Sequence, residues 1–240
     1  MDKIDLEFVS KKTLANDTIE FLFKRPSNLE FIAGQHGVLT LKKDLVKSDE
    51  RGNSRVLSFT TTSDNDFIGF ATRMTGSGFK ETLNTLNPGD KVEYEGPYGN
   101  LTLHKNSKKD AIFIIGGIGI TPVISMIKDA TNNNLEHKIT LFFSNKSLEN
   151  APYQDDFIEL EQKNKNFTFI QVLSHGSGSA KNFESGRMSK EIFEKYIKNK
   201  DNAIYYLSGP SPMVKAMREM LVNNLEIDED TIKTEEFSGY

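Results

Sequence analysis

The sequence predicts a two-domain chain. A six-stranded antiparallel β-barrel with one helix comes first, then a Rossmann-like α/β domain whose parallel sheet has about five strands. Three observations carry this. Over roughly the first hundred positions, apolar residues recur with period 2 in short runs broken by turn residues. Beyond them, strand-like runs alternate with helical segments, as a parallel sheet covered on both faces requires. Between the two lies Ala111 to Ser125, AIFIIGGIGITPVIS, a buried-strand run that breaks at glycines and resumes as a helix. The division gives domains 1–106 and 107–240, with Asn106-Ser107-Lys108-Lys109 as the polar link.

Composition narrows the function. The 240 residues include seventeen Phe, enough for two cores, and no Cys. Disulfides, thiolate metal sites, cysteine nucleophiles and Cys-ligated iron–sulfur clusters are therefore excluded, and no metal site is expected. The formal net charge is −4, and neither half is basic enough to suggest nucleic acid. No apolar run approaches the ~20 residues that span a bilayer. The opening MDKIDLEFVS is too polar for a secretory signal, so a cytoplasmic protein is expected.

In the first half, Ile4-Leu6-Phe8, Ile19-Phe21-Phe23, Val38-Thr40 and Val56-Ser58 alternate, separated by turns such as Asn16-Asp17 and Ala33-Gly34. Phe67 to Thr72 and Val92 to Tyr94 add two strands, and a helix is expected from Gly78 to Leu86, closed by Asn87-Pro88-Gly89-Asp90. Six short strands with one helix suit a small barrel. In the second half, strands are expected at Ile139–Phe143, Phe167–Leu173 and Ala203–Leu207. Helical patterns cover Tyr153–Lys163, Ser189–Lys198 and Pro212–Asn223, SHGSGS (174–179) reads as a flexible loop, and the chain closes in a short extended tail.

The glycine turn carries the first chemical signal. Gly116-Gly117 and Gly119 allow backbone conformations closed to other residues and let a ligand approach the main chain. Thr121 stands where an N-cap hydroxyl is useful, and Pro122 where the first helical residue needs no donor. Strand, turn and helix start then present free N–H groups and a positive dipole end to a pyrophosphate. The spacing Gly-x-Gly-x-x-Pro suits a plain tight turn as well as a phosphate cradle.

Further motifs stand in a fixed order: Arg55-Val56-Leu57-Ser58, Phe70-Ala71-Thr72-Arg73-Met74, Gly76-Ser77-Gly78-Phe79, Gly96-Pro97-Tyr98-Gly99, the glycine turn, Ser208-Gly209-Pro210 with Met213, and the tail Glu235-Glu236-Phe237-Ser238-Gly239-Tyr240. In order and spacing they resemble the ferredoxin–NADP reductase family of flavoproteins over essentially the whole chain. The resemblance implies that Arg55 holds the FAD pyrophosphate, with Ser58 bonding the flavin edge or ribityl chain. Leu57 stands where the family usually has an aromatic ring against the isoalloxazine, so FMN or loosely held FAD is the alternative. Phe70 and Thr72 would lie along the flavin, and the helix start at Ser77, Gly78 and Phe79 would receive the pyrophosphate. Gly117, Gly119, Thr121 and Pro122 would bind NAD(P), with Ser208, Gly209 and Met213 near the nicotinamide. Glu236 and Phe237, or Tyr240, would belong to a tail whose ring covers the flavin until nicotinamide displaces it.

After the second parallel strand, an NAD fingerprint places an acidic residue against the ribose 2′-hydroxyl. This chain has Ser144-Asn145-Lys146, a hydroxyl and a cation suited to a 2′-phosphate, so NADP(H) is favoured over NAD(H). The expected activity is hydride exchange between NAD(P)H and FAD, with single electrons passed to a carrier such as ferredoxin or flavodoxin. An NAD(P)H:flavin reductase acting on free flavin, or an electron-relay subunit, are the alternatives. The Tyr196…Lys200 pair fits the Tyr-x-x-x-Lys pattern of short-chain dehydrogenases, but so loose a match is read as chance.

Overall fold

The structure is a computed structural model that describes residues 3–46 and 49–237. Strands β1 (Ile4–Ala15), β2 (Thr18–Lys24), β3 (His36–Thr40), β4 (Ser54–Ser58), β5 (Phe67–Arg73) and β6 (Lys91–Tyr98) form an antiparallel sheet in the order β4-β3-β6-β1-β2-β5. Its ends meet through the Phe59–Phe70 bridge and a 2.9 Å bond from Thr60 N–H to the Gly69 carbonyl, closing the barrel. These bonds join the sheet just past β4, and among the described residues β4 itself pairs only with β3, so its other edge stays open. Phe8, Phe21, Phe23, Phe59, Phe70 and Tyr94 fill the interior. Helix α1 (Gly78–Asn84) follows β5, capped by the Ser77 hydroxyl, which accepts from Lys80 N–H.

The second half is a parallel sheet in the order β10-β9-β8-β7-β11-β12. Its strands are β7 (Asp110–Gly116), β8 (Ile139–Asn145), β9 (Phe167–Leu173), β10 (Asn182–Ser185), β11 (Ala203–Pro210) and β12 (Ile232–Phe237). Helices α2 (Thr121–Asn132), α3 (Gln154–Lys163), α4 (Lys190–Tyr196) and α5 (Ser211–Glu219) cover it. Phe113 and Ile115 pack with Val123, Ile124 and Phe157 on one face. Ile112 and Ile114 pack with Phe193, Val214 and Leu221 on the other. The continuous apolar run of β7 follows from burial on both faces. Strand order reverses at β7, so the crevice at the carboxyl ends of β7 and β11 is the topological switch point where such sheets bind ligands.

The sheet has six strands where about five are expected. Its two edges are β10, which the sequence pattern did not mark, and β12, the expected extended tail. Each bonds along one side only, so short and charged sequences such as NFES and IKTEEF suffice. The expected helix to Leu86 ends at Asn84, and the expected strand Val92–Tyr94 runs on to Tyr98.

Polar bonds tie the two halves together. Glu20 of the barrel accepts from the Tyr153 hydroxyl at 2.8 Å and from Thr60 at 2.6 Å. Gly34 N–H donates to Ser125 Oγ at 3.0 Å. The Tyr206 hydroxyl of β11 lies 2.9 Å from both the backbone nitrogen and Nδ1 of His104, in the segment joining the domains.

Candidate functional site

Several clefts open between the two halves, and two of them take in the glycine turn and the Arg55 stretch. The larger, about 640 Å³, lies at the carboxyl ends of β7 and β8 against α5. Its floor is the glycine turn. Gly117 takes a left-handed φ of +52°, and a Cβ at Gly116 would stand 2.2 Å from Met213 Sδ. Gly119 serves packing: a Cβ there would lie 2.5 Å from Gly209 N and 2.6 Å from Ser208 C, so only glycine lets the turn sit on β11.

Three cations line this cleft. Arg73 ends β5, Lys146 follows β8 and Arg187 follows β10. Asp17 is its one carboxylate among the described residues. Ser144 and Asn145 line it too, and Asn145 Nδ2 is buried without a hydrogen-bond partner. An anionic, multiply hydrogen-bonding ligand matches this lining.

The smaller cleft, about 300 Å³, lies between β4 and the tail, lined by Arg55, Val56 and Ser58 on one side and Glu235, Glu236 and Phe237 on the other. Parallel pairing of β12 with β11 sets Ser208 opposite Glu235, Gly209 opposite Glu236 and Pro210 opposite Phe237. His36, the β3 partner of Ser58, brings Nδ1 to 3.6 Å from Glu235 Oε1, so the barrel meets the tail directly. Ser208 Oγ and Glu235 Oε2 are buried without partners. Phe237 is half-buried at the cleft, and Tyr240 lies outside the described residues.

At the start of α1, Phe79 N–H donates to Asp49 Oδ2 at 2.8 Å, and Arg55 Nη2 donates to the same oxygen at 2.6 Å. Arg55 Nη1 donates to the carbonyls of Arg51, Gly52 and Ser54, its guanidinium lies 5.0 Å from the Phe79 ring centroid, and its Nε has no partner. Lys80 donates from Nζ to the Arg73 carbonyl at 2.7 Å. Burial, aided by the nearby charges of Arg51, Arg55 and Arg73, pushes its pKa down to about 8. Cations crowd this corner, and the Asp49 carboxylate is held well below its usual range by the Phe79 N–H and by Arg55.

Several expected positions do not face the clefts. Thr121 is not an N-cap: it has helical angles, Ile120 precedes it as the cap, and its buried hydroxyl donates to the Ile118 carbonyl at 3.1 Å. A 3₁₀ turn at Gly117–Ile120 already curls the chain, which moves the helix boundary back. Pro122 is buried beside it in the first turn. Leu57, Phe70 and Phe79 point into the barrel core, because strand alternation turns Val56 outward and Leu57 inward. Thr72 is buried with its hydroxyl unpartnered, and Ser77 spends its hydroxyl on the helix cap. The sequence reading assigned no role to His36, Asp49 or Arg187, and none to Val56 and Arg73, although both stand inside its motifs. Arg187 had a local cue of its own, a Gly-Arg pair closing a short polar stretch. The Tyr196 hydroxyl is bound to Glu184 and the Lys200 ammonium to the Leu225 carbonyl, so the dehydrogenase-like pair is structural.

Residues 5–103 match the oxidoreductase FAD-binding domain family and residues 113–219 the oxidoreductase NAD-binding domain family. The chain belongs to the ferredoxin–NADP reductase-like flavoproteins. The F subunit of the Na(+)-translocating NADH-quinone reductase of Serratia proteamaculans is 31% identical over 160 residues, 65% of this chain and 39% of that protein. NADH-cytochrome b5 reductase 2 of Mycosarcoma maydis is 26% identical over 224 residues, 88% of this chain and 63% of that one. The chain thus spans between about two fifths and two thirds of these relatives. A Neisseria gonorrhoeae ferredoxin NADP+ reductase solved with FAD and NADP superposes with a TM-score of 0.79 at 18% identity, covering 98% of both chains. At that identity the superposition speaks for the fold.

The residues present fit the two ligands that this family binds. Arg55 Nε, Glu235 Oε2 and Asn145 Nδ2 are buried polar atoms without partners, on residues that line the two clefts. Such atoms are costly unless a ligand or water satisfies them.

Proposed function

We propose that the chain takes electrons as hydride from NADPH and passes them singly to a carrier such as ferredoxin or flavodoxin, with FAD held between β4, α1 and the tail. When bound, the flavin supplies the conversion between two-electron and one-electron chemistry. The protein binds, orients and excludes water. Arg55 and Arg51 would hold phosphate charge, Val56 would supply apolar contact, and Ser58 would offer a hydroxyl at the flavin edge. His36 would hold Glu235, and through it the tail, against the barrel. Gly117 and Met213 would bed the nicotinamide nucleotide, and Ser208, facing Glu235 in register, would offer a hydroxyl beside the reacting rings.

One observation carries the nucleotide choice: the larger cleft is lined by Arg73, Lys146 and Arg187, and no carboxylate follows β8 at Ser144-Asn145-Lys146. This supports a 2′-phosphate rather than a bare ribose hydroxyl. The two sequence relatives named above carry NADH in their names, and the Neisseria structure NADP+, so the decisive experiment is anaerobic mixing of the FAD-loaded protein with each nucleotide. Faster flavin bleaching by NADPH at equal concentration supports the proposal, and faster bleaching by NADH overturns the nucleotide assignment.

A second reading has its own observation. With Leu57 turned into the barrel and Asp49 bound to Arg55, flavin would be held loosely enough to exchange, as a reductase of free flavin requires. A colourless preparation that oxidises NADPH only with added flavin supports this reading. A yellow one that reduces a carrier protein supports the first.

A further inference from the structure

We infer that Asp49 is an internal competitor for the flavin's phosphates, a carboxylate seated on donors that a dinucleotide flavin needs. The inference rests on the flavin reading above and deepens it by naming what sets flavin retention.

The geometry is that of a bound anion. Asp49 and Arg55 are nearly fully buried, with side chains 4% and 5% exposed. Asp49 Oδ2 accepts from Arg55 Nη2 at 2.6 Å and from Phe79 N–H at 2.8 Å, while Oδ1 accepts from Arg51 N–H at 3.0 Å. One guanidinium and two backbone donors converge on one carboxylate, as they would on a phosphate. Arg55 Nε remains buried and unpartnered beside the smaller cleft, a donor the carboxylate does not satisfy. A carboxylate has two oxygens and one charge; a pyrophosphate offers more of both. The chain without flavin therefore keeps the buried Arg55 charge neutralised, and flavin binding exchanges one anion for another. A buried cation stripped of its partner would be strongly destabilising, so Asp49 lets the empty protein stay folded at the expense of flavin affinity.

The test compares FAD with riboflavin, which has the same ring and no phosphate, on the wild type and on Asp49→Asn. Asparagine keeps the shape and an acceptor for Phe79 N–H but removes the competing charge. The expected result is FAD bound at least tenfold more tightly by the variant, riboflavin bound equally, and a lower melting temperature for the variant without ligand. Equal or weaker FAD binding by the variant leaves the flavin reading standing and overturns the competition. Failure of both proteins to bind FAD and riboflavin overturns the flavin reading and this inference together. Should the variant not fold, the wild type reports the same exchange through carboxyl-carbon NMR of Asp49. Saturating FAD should return its titration toward the ordinary aspartate range, and a titration unmoved by FAD overturns the inference.

Discussion

Gly117 and Gly119 are two residues apart in one turn, and the same substitution should damage them in different ways. Alanine at Gly119 drives a methyl to 2.5 Å from Gly209 N and 2.6 Å from Ser208 C. Both are backbone atoms of β11 and cannot rotate away. Relief requires the turn to lift by roughly 1 Å, and such overpacking costs typically about 1–3 kcal/mol, here toward the upper end. For a chain of this size that corresponds to a melting temperature lower by about 6–12 °C. Alanine at Gly117 meets only Arg73 Nη2 at 3.3 Å, the end of a flexible side chain, but must hold φ at +52°. The left-handed conformation costs about 1–2 kcal/mol. Its methyl, however, intrudes on the floor of the larger cleft, beside the backbone donors proposed for phosphate. Gly117→Ala should therefore melt only a few degrees low yet bind NADPH at least tenfold more weakly, roughly 1.4 kcal/mol. Gly89→Ala, with φ +95° and open space around it, carries the strain without touching the cleft and should leave nucleotide binding unchanged. Thermal melts and nucleotide titrations of the three variants make the comparison. A Gly119→Ala protein that melts like wild type would refute the packing argument. Unchanged nucleotide affinity in Gly117→Ala would refute the assignment of the cleft.

Other expectations follow from the same geometry. Lys146→Ala and Arg187→Ala should each raise the Michaelis constant for NADPH several-fold while leaving NADH nearly unaffected, and equal effects on both nucleotides would contradict the 2′-phosphate assignment. Removing the ring at Phe237, by Phe237→Ala, should tighten nicotinamide binding by about 1 kcal/mol, the worth of an aromatic contact beyond its burial; flavin fluorescence and oxygen reactivity should rise with it. Burial lowers the pKa of His104 below its ordinary 6.5, so the unfolded chain binds more protons between the two values. That stability is present in full above pH ~6.5 and is lost as pH falls toward the folded value. The melting temperature of the wild type should fall over that interval, and His104→Gln should flatten the slope.

Much of this architecture can be read from the chain because it rests on local pattern. Period-2 runs around Phe8 and Phe21 and the double-sided run Ala111–Ile115 each imply one kind of burial. Edge strands escape such reading: β10 and β12 bury little of their own surface and are fixed by pairing with β9 and β11. The site divides the same way. Gly117 and the 144–146 stretch, singled out by pattern and position, line the larger cleft, and so does Met213, which only the family resemblance pointed to. Leu57 and Phe79 belong to motifs that the resemblance points to, with Leu57 itself a departure in type, yet which side they face depends on strand alternation and on the seating of α1. Asp49 and His36 have no sequence cue at all, because their partners Phe79 and Glu235 are brought to them only by the closed barrel and the returning tail.

The central claim is that the two clefts hold a flavin and a nicotinamide nucleotide together. It is tested most directly by titrating the purified chain with FAD, removing the excess, and adding NADPH without oxygen while recording the visible spectrum. The account predicts about one FAD per chain, bleached by NADPH and released on denaturation, with Arg55→Ala weakening retention by about 1.5–3 kcal/mol, the worth of charge-assisted bonds. A chain that retains no flavin after incubation with excess FAD, or whose bound flavin neither NADPH nor NADH can bleach, would contradict it.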